Sequence, residues 1–353
     1  MTGLLSRRLY TQHIAGTPLA RPEDVVRLLG AVQSQDFLGA KWSIGQRVRN
    51  GTDGGVDQAF NDGRILRTHV LRPTWHFVRP EDIRWMLQLT APHVHALNGY
   101  YCRQDGLDRA AFARTRAIIA RALRDGRHRT RKELAALLTR AGLGGTGRRI
   151  AYIMMNAELE GLICSGALRG KQHTYALLEE RVPPAQPLSR DEALAELTRR
   201  FFTGHAPATL RHYVWWSGLS VKDAKTGLAM VQEQLSSETV DGMTFWSGTG
   251  SIPRRATMAA YLIPEYDECL TGYRDLAVSD MAPAKGMKPK TDGSFRPIIL
   301  GGQRAGTWRR VISGGRVLVE AKLFAKLSTA QSRALDAVVR HYGTFLNLPA
   351  TRH

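Results

Sequence analysis

Residues 189–248 read SRDEALAELTRRFFTGHAPATLRHYVWWSGLSVKDAKTGLAMVQEQLSSETVDGMTFWSG, and this stretch decides the fold. Ser189 with Glu192 three residues on is a predicted capping box, and the apolar residues after it recur at helical spacing. A second helix follows after a short break, and Ser220 begins a third. Alternating residues around the turn Asp241-Gly242 then predict a β-hairpin. Three helices followed by a hairpin are typical of a winged helix.

The same order of elements is predicted twice more upstream. In residues 106–184, helices over 109–125, from 130 and over 146–160 precede a hairpin within 162–178. A less regular copy lies within residues 1–105, which also hold linking helices after residue 79. Its helices are predicted over 5–15, 22–34 and 56–61, and its hairpin over 65–78.

The last part of the chain has a different pattern. The third copy is assigned to residues 185–254, and residues 255–353 contain short alternating strands and a final helix over 329–342. This pattern predicts a small barrel or sandwich. The predicted fold class is therefore α+β, with three tandem winged-helix units before a C-terminal β domain.

Charge indicates the kind of partner. The 353 residues contain 50 Lys plus Arg against 31 Asp plus Glu, a net charge of +19, and 40 of the basic residues are Arg. A GC-rich genome exchanges Lys for Arg but creates no surplus of positive charge, so a polyanionic partner is favoured. Residues 103–149 alone hold 13 basic and 4 acidic side chains. Double-stranded DNA is the partner we predict.

Several classes of protein are disfavoured by composition. A content of 43% hydrophobic and 23% charged residues is that of a globular protein and excludes a disordered basic tail. The three cysteines form no CxxC pair, which favours a reduced, cytoplasmic protein without a zinc site. No apolar run reaches the length of a membrane helix. We expect no cofactor and no metal, and a monomer, because tandem copies make dimerisation unnecessary.

One short segment stands out as a candidate for chemistry. Residues 31–36, AVQSQD, place two amides, Gln33 and Gln35, on either side of Ser34 and just before Asp36. We predict that this segment ends the second helix of the first copy. Composition alone is compatible with a polar helix end. Phosphate-binding loops, nucleophile elbows and zinc-protease motifs are not found in the sequence.

The chain resembles the winged-helix DNA glycosylases of the AlkZ and YcaQ (AlkX) family. The resemblance runs along nearly the whole chain and is carried by these segments: SRRLYTQHIAG (6–16), AVQSQD (31–36), LRTHVLRPTWHFV (66–78), APATLRHYVWWSGLSVKDAK (206–225), LIPEYDECLTGYRD (262–275) and FRPIILGGQRAGTWRR (295–310). It implies three winged helices and a β-barrel that form a C-shaped clamp around duplex DNA. It also implies excision of N7-alkylated purines.

The resemblance places the catalytic residues in a Gln-x-Gln motif. Gln33 and Gln35 match that motif, whereas YcaQ-like members carry Asp in the second position. This chain therefore resembles the AlkZ-like branch, which acts on bulky adducts and interstrand crosslinks. Ser34 departs from the apolar residue usual between the two amides and leaves the substrate range open. Asp36 is a weaker catalytic candidate, with a helix-end role as its alternative.

Two neutral amides are chemically sufficient for such a reaction. Alkylation at N7 makes guanine a cationic leaving group that needs no proton from an acid. A glutamine carbonyl can orient water and stabilise positive charge that develops on the sugar, while its NH₂ group fixes the geometry.

Five residues are candidates for DNA contact. Arg72 and His76 lie on the hairpin that the resemblance brings to DNA, where Trp75 is equally compatible with the core. Thr146, Arg148 and Arg149 begin the third helix of the basic second copy, where helix N-termini meet phosphates.

The leading hypothesis is a monofunctional DNA glycosylase of base excision repair that confers resistance to alkylating natural products. The alternative is a non-catalytic winged-helix DNA-binding protein, either a transcription regulator or a protein that sequesters damage.

Overall fold

The computed structural model describes residues 3–249, 259–273 and 296–353. The helices of these residues are α1 Leu4–Thr11, α2 Pro22–Leu29, α3 Phe37–Gly45, α4 Asp53–Asn61, α5 Pro80–Gln104, α6 Arg109–Leu123, α7 Arg131–Arg140, α8 Gly147–Leu159, α9 Leu178–Arg181, α10 Arg190–Gly204, α11 Leu210–Ser217, α12 Val221–Val231, α13 Glu268–Thr271 and α14 Thr329–Leu346. The strands are β1 Val32–Gln33, β2 Leu66–His69, β3 Trp75–Val78, β4 Arg129–Thr130, β5 Ile163–Ser165, β6 Thr174–Leu177, β7 Leu235–Val240, β8 Met243–Gly248, β9 Ala260–Leu262, β10 Pro297–Leu300, β11 Gln303–Ser313, β12 Arg316–Leu323 and β13 Ala350–Arg352.

One order of elements occurs three times along the chain. It consists of a helix, a short strand, two helices and a hairpin, as in α2-β1-α3-α4-β2-β3 and α6-β4-α7-α8-β5-β6. In both sheets the short strand pairs with the last strand of the hairpin, giving the orders β1-β3-β2 and β4-β6-β5. In the third segment Ala208 takes the place of the short strand and exchanges two backbone hydrogen bonds with Trp246 of β8.

Local sequence signals explain the second and third segments well. The capping boxes at Thr130 and Ser189 are both formed, and their helices begin at the next residue. Gly218 ends α11 in the left-handed conformation, as expected of a C-terminal glycine. The hairpin turn at Asp241-Gly242 joins β7 to β8.

The first segment corrects our prediction for residues 22–34. α2 ends at Leu29, because Gly30 has a φ of 75°, and the next residues leave the helix. AVQSQD is therefore not a helix end; Val32 and Gln33 form strand β1. The helix α3 was not predicted, since its residues from Gly39 to Gly45 are all buried and show no polar face.

The described C-terminal strands form one curled sheet in the order β13-β12-β11-β10-β9. Helix α14 packs on this sheet, with Tyr342 and Phe345 fully buried. Neither closure into a barrel nor a second sheet of a sandwich is seen among the described strands of this region. The predicted boundary at residues 254 and 255 lies outside the described residues.

The first segment packs against two other parts of the chain. Its β2 and β3 share one core with α5, α10 and α11, whereas its helices share a second core with the C-terminal sheet. The segment from α6 to β6 has a core of its own. Strand β1 consequently lies where the first segment, the third segment and the C-terminal region meet. In the described part of the chain, no helix is long and apolar enough to cross a membrane.

Candidate active site

Gln33 is the last residue of an edge strand. It lies opposite His76 in β3, while the next residue, Ser34, donates its N–H to the carbonyl of Trp75 at 2.7 Å. In an antiparallel ladder hydrogen-bonded pairs alternate with non-bonded ones, so Gln33 and His76 form a non-hydrogen-bonded pair. Side chains of such pairs are the closer kind, with Cβ atoms about 4.5–5.5 Å apart. The two side chains therefore lie side by side on one face.

Gln33 is held from two directions. Its backbone N–H points away from β3 and donates to Oε1 of Glu268 at 2.7 Å. Its side-chain Oε1 accepts a hydrogen bond from Nη2 of Arg72 at 3.0 Å. Only 6% of Gln33 is exposed. The bond from Arg72 occupies the amide oxygen of Gln33 and orients the amide. The NH₂ group of Gln33 is therefore the part of the side chain that can donate to another molecule.

Glu268 is a fully buried carboxylate on the short helix α13. Its Oε2 accepts from Nε1 of Trp216 at 2.8 Å and lies 3.4 Å from Nε2 of His205. Burial alone would raise the pKa of Glu268, but the bond with His205 and the nearby Arg72 cation outweigh it, and the pKa is lowered. Glu268 is therefore an anion. It links strand β1, helix α11 and the end of helix α10 through its contacts with Gln33, Trp216 and His205.

The middle residue of the motif contacts a second arginine. The carbonyl of Ser34 accepts from Nη2 of Arg67 at 2.9 Å, and its Oγ lies 3.3 Å from Nε of the same side chain. The guanidinium lies 4.3 Å from the centre of the Trp75 ring, a cation–π contact. Burial lowers the pKa of Arg67 to about 10, which leaves it charged at neutral pH. The hydroxyl of Ser34 is therefore placed to contact Arg67. Gln35, beyond the strand, is exposed.

Asp36 has a structural role. Its side chain caps α3 by accepting from the N–H of Gly39 at 3.2 Å. It also forms ion pairs with Arg310 at 3.3 Å and Arg296 at 3.4 Å. These contacts engage both carboxylate oxygens and favour the helix-end alternative over a catalytic role.

His76 does not reach the surface, so the phosphate contact that we expected for it is not supported. The residue is 0% exposed. Burial and the Arg72 cation lower its pKa to about 3, which keeps the imidazole neutral at physiological pH. Arg72 is on the predicted hairpin, but its guanidinium turns inward to Gln33 rather than outward to solvent. Burial lowers the pKa of Arg72 as well.

Buried neutral histidines make the fold sensitive to acid. Burial lowers the pKa of both His76 and His212 to about 3, and cations near His212, Arg8 and Arg211, add to the effect. Between pH 6.5 and about 3 the unfolded chain binds protons that the folded chain does not, so stability falls as pH falls. We expect a loss of roughly 1–2 kcal/mol per histidine from pH 7.5 to pH 5 in urea unfolding. His212→Gln should reduce that loss; an unchanged pH dependence would contradict the assignment.

The other predicted DNA contacts lie together at the start of α8. Thr146 caps this helix by accepting from the N–H of Arg149 at 3.2 Å. Arg148 is exposed and binds the carboxylate of Asp105 through two nitrogens, at 2.7 and 3.0 Å. Arg149 donates to the backbone carbonyls of Gly144 and Asp105. The three residues are thus close together, and they lie far along the chain from Gln33.

Sequence reasoning missed Glu268 and Arg67. Glu268 lies within LIPEYDECLTGYRD, where an acidic pair is embedded among apolar residues, and that context is a signal of a buried carboxylate. Arg67 lies in LRTHVLRPTWHFV beside Trp75 in space, but nothing in its spacing indicates a contact with Ser34.

The site offers donors, acceptors and a fixed buried charge. No group of three or more His, Cys, Asp or Glu side chains that could hold a metal ion occurs among the described residues. An oriented amide beside a neutral imidazole and a buried carboxylate can position water and stabilise positive charge.

Comparison with a solved structure identifies the fold. The chain superposes on DNA glycosylase AlkZ of Streptomyces sahachiroi with a TM-score of 0.77 and 18% identity, over 100% of both chains. The fold is therefore that of a solved DNA glycosylase. An interstrand DNA cross-link repair glycosylase of the same organism is 23% identical over 227 residues, which are 60% of this chain and 59% of the relative.

The family follows from a match over most of the chain. Residues 26–345 match the family described as DNA glycosylase AlkZ-like, and the chain belongs to this family. The resemblance noted from the sequence is thereby confirmed.

Proposed function

We propose that the protein is a monofunctional DNA glycosylase that hydrolyses the N-glycosidic bond of bulky N7-alkylguanine and unhooks interstrand crosslinks. Membership of the AlkZ-like family and the name of the cross-link repair relative support this proposal. The observation that carries it is the clamped amide of Gln33, fixed by Arg72 at its side chain and by Glu268 at its backbone. A side chain held this rigidly is suited to catalysis by positioning.

The proposed mechanism uses the charge that alkylation supplies. The C1′–N9 bond breaks with its electron pair moving to the cationic base, which leaves as neutral N7-alkylguanine. The sugar develops oxocarbenium character, and a water attacks C1′. Gln33 orients that water, while Gln35, exposed beside the strand, contacts the lesion-bearing nucleotide. The buried Glu268 anion stabilises positive charge nearby, offset in part by Arg72.

The scaffold fits lesions that resist extrusion. A crosslinked base is tethered to the opposite strand and cannot rotate freely into a deep pocket. We propose that the three segments of shared element order are winged helices, and that with the C-terminal sheet they form a C-shaped clamp on duplex DNA. The net charge of +19 supports extensive contact with phosphates. We further propose a monomer, a cytoplasmic, nucleoid-associated location and a role in resistance to alkylating natural products.

Base release separates this proposal from a non-catalytic DNA-binding role. Purified protein is incubated with duplexes that carry N7-methylguanine, a mustard adduct or an interstrand crosslink. A glycosylase releases the free base and leaves an abasic site without cutting the strand. Binding without release on all three substrates would favour a sequestering protein, and a discrete footprint on undamaged promoter DNA would favour a regulator.

The start of α8 gives a prediction for binding. The double variant Arg148→Ala and Arg149→Ala should bind duplex DNA more weakly and with a shallower dependence on salt, because fewer counterions are released. Because Arg148 is already bonded to Asp105, we expect the slope of log K against log salt concentration to become shallower by about 1 rather than 2. Fluorescence anisotropy between 50 and 200 mM salt measures both.

A double variant on α14 provides the matched control. Arg333 and Arg340 are both exposed there, and their replacement by alanine removes the same total charge. An identical loss in both double variants would indicate a general effect of charge, and an unchanged slope in the α8 variant would exclude this helix from the interface.

A further inference from the structure

His76 carries a proton on a defined nitrogen. Its Nδ1 lies 2.9 Å from the backbone carbonyl of Thr74. A carbonyl oxygen only accepts, so Nδ1 must donate, and in a neutral imidazole Nε2 then bears a lone pair. The tautomer is thereby set by the backbone of the hairpin.

That lone pair has no partner in the described part of the chain. Nε2 of His76 is buried and makes no hydrogen bond there, and the same holds for Oγ1 of Thr68, which is opposite His76 on the other neighbouring strand. Buried polar atoms are nearly always paired, so an unpaired acceptor needs an explanation. Both atoms belong to residues with 0% exposure. Gln33, His76 and Thr68 thus form one row across the sheet.

The side chain of Gln33 lies on the same face of the sheet as His76. Arg72 engages Oε1 of Gln33, which leaves the NH₂ group as donor. The close cross-strand pairing places the side chains of Gln33 and His76 side by side on one face of the sheet, and from this we infer that the donor and the imidazole acceptor serve one site. A water molecule has both an oxygen lone pair and protons, and can bind one of each.

We propose that His76 is a catalytic residue that, with Gln33, holds the attacking water. The inference rests on the proposed glycosylase function. Gln33 donates to the water oxygen, and a water proton points to Nε2 of His76. The oxygen forms a bond to C1′ as the C1′–N9 bond breaks towards the base, and the proton passes to Nε2 and then to solvent. A water that has added to an oxocarbenium ion is strongly acidic, so a weakly basic imidazole is a sufficient acceptor.

Two substitutions at His76 distinguish this role from packing. A glutamine side chain can place its oxygen near the position of Nε2, whereas an asparagine is shorter and reaches only the position of Nδ1. Under single-turnover conditions with N7-methylguanine duplex, H76N should release base about 100-fold more slowly than the native protein, a typical size for the loss of a proton acceptor. H76Q should be slower than native but faster than H76N, because its amide oxygen can accept a hydrogen bond from the water but cannot take its proton. Duplex affinity should change little in both.

His212→Gln is the control for loss of a buried histidine, since His212 on α11 is also buried, at 7% exposed, but lies outside this row. It should release base at the native rate. Native rates in H76N, or equal losses in H76N and H76Q with intact thermal unfolding, would overturn the proposal. If the native protein binds DNA but releases no base, the proposed glycosylase function is wrong. That outcome differs from the outcomes above, which contradict only the role of His76.

A chemical rescue keeps the test decisive if both variants are destabilised. In H76G, added imidazole should restore base release at least tenfold, whereas pyrrole, which has a similar shape but no basic lone pair, should not. Equal restoration by the two compounds, or by neither, would contradict a proton-accepting role.

Discussion

Replacing Gln33 with alanine is expected to slow base release from N7-alkylguanine duplex about 100-fold or more, with little change in duplex affinity. The size is that of removing one preorganised polar group from a transition-state site. The reason lies in the geometry: Gln33 is held by Arg72 and Glu268 in one orientation, so its amide is preorganised for the reaction. Single-turnover release at saturating protein measures the chemical step directly.

Gln46→Ala is a matched control for this experiment. Gln46 is a partly buried glutamine in the same unit, and its amide donates to Asp267 at 3.2 Å rather than reaching the strand β1. It should keep the native rate. The double variant Gln33→Ala and Gln35→Ala should release base only a little more slowly than the slower single variant. The effects of residues that act as a unit are not additive. A native rate in Gln33→Ala would remove this residue from the reaction.

Replacing Asp267 with alanine is expected to lower the free energy of unfolding by about 3–5 kcal/mol. Asp267 and Arg47 are both 0% exposed and form a bidentate pair, with distances of 2.7 and 2.8 Å. Burial would raise the pKa of Asp267, but the Arg47 charge outweighs it and lowers the pKa. Removal of the carboxylate would leave a buried cation without a counter-charge, which is the costly case.

The surface pair of Arg309 and Glu320, whose side chains are 60% and 26% exposed, provides the comparison. Glu320→Ala on the C-terminal sheet should lower the free energy of unfolding far less than Asp267→Ala, because an ion pair in contact with water contributes little. Urea unfolding of both variants and the native protein at pH 7.5 gives the two differences. If Asp267→Ala costs as little as Glu320→Ala, the buried pair does not stabilise the contact between Arg47 of the first segment and the C-terminal region.

Local signals predicted the second and third segments because each element carries its own start or stop. The capping boxes at Thr130 and Ser189 and the Asp241-Gly242 turn need only neighbours within a few residues. The first segment has cap residues as well, Asp36 for α3 and Thr52 for α4, but neither forms a capping box. Strand β1 has two residues, and its existence depends on pairing with β3, more than forty residues away. A polar segment after a helix therefore looked like the end of that helix.

The site could be predicted only in part. Gln33 and Arg72 were both named from the sequence, but not their contact with each other, since a hydrogen bond between residues 39 positions apart has no local pattern. Glu268 lies 235 positions from Gln33 and reaches it only through the fold. His76 was expected at the surface because hairpins of winged helices contact DNA, and the shared core with the third segment buries it instead.

The proposed glycosylase activity is tested most directly by identifying, with mass spectrometry, the product from a duplex with one N7-methylguanine, for the native protein and Gln33→Ala at equal DNA occupancy. The native protein should yield free N7-methylguanine and an intact strand with one abasic site, and the variant almost none of either. DNA that is bound but unchanged by the native protein, or equal release by the two proteins, would contradict this expectation.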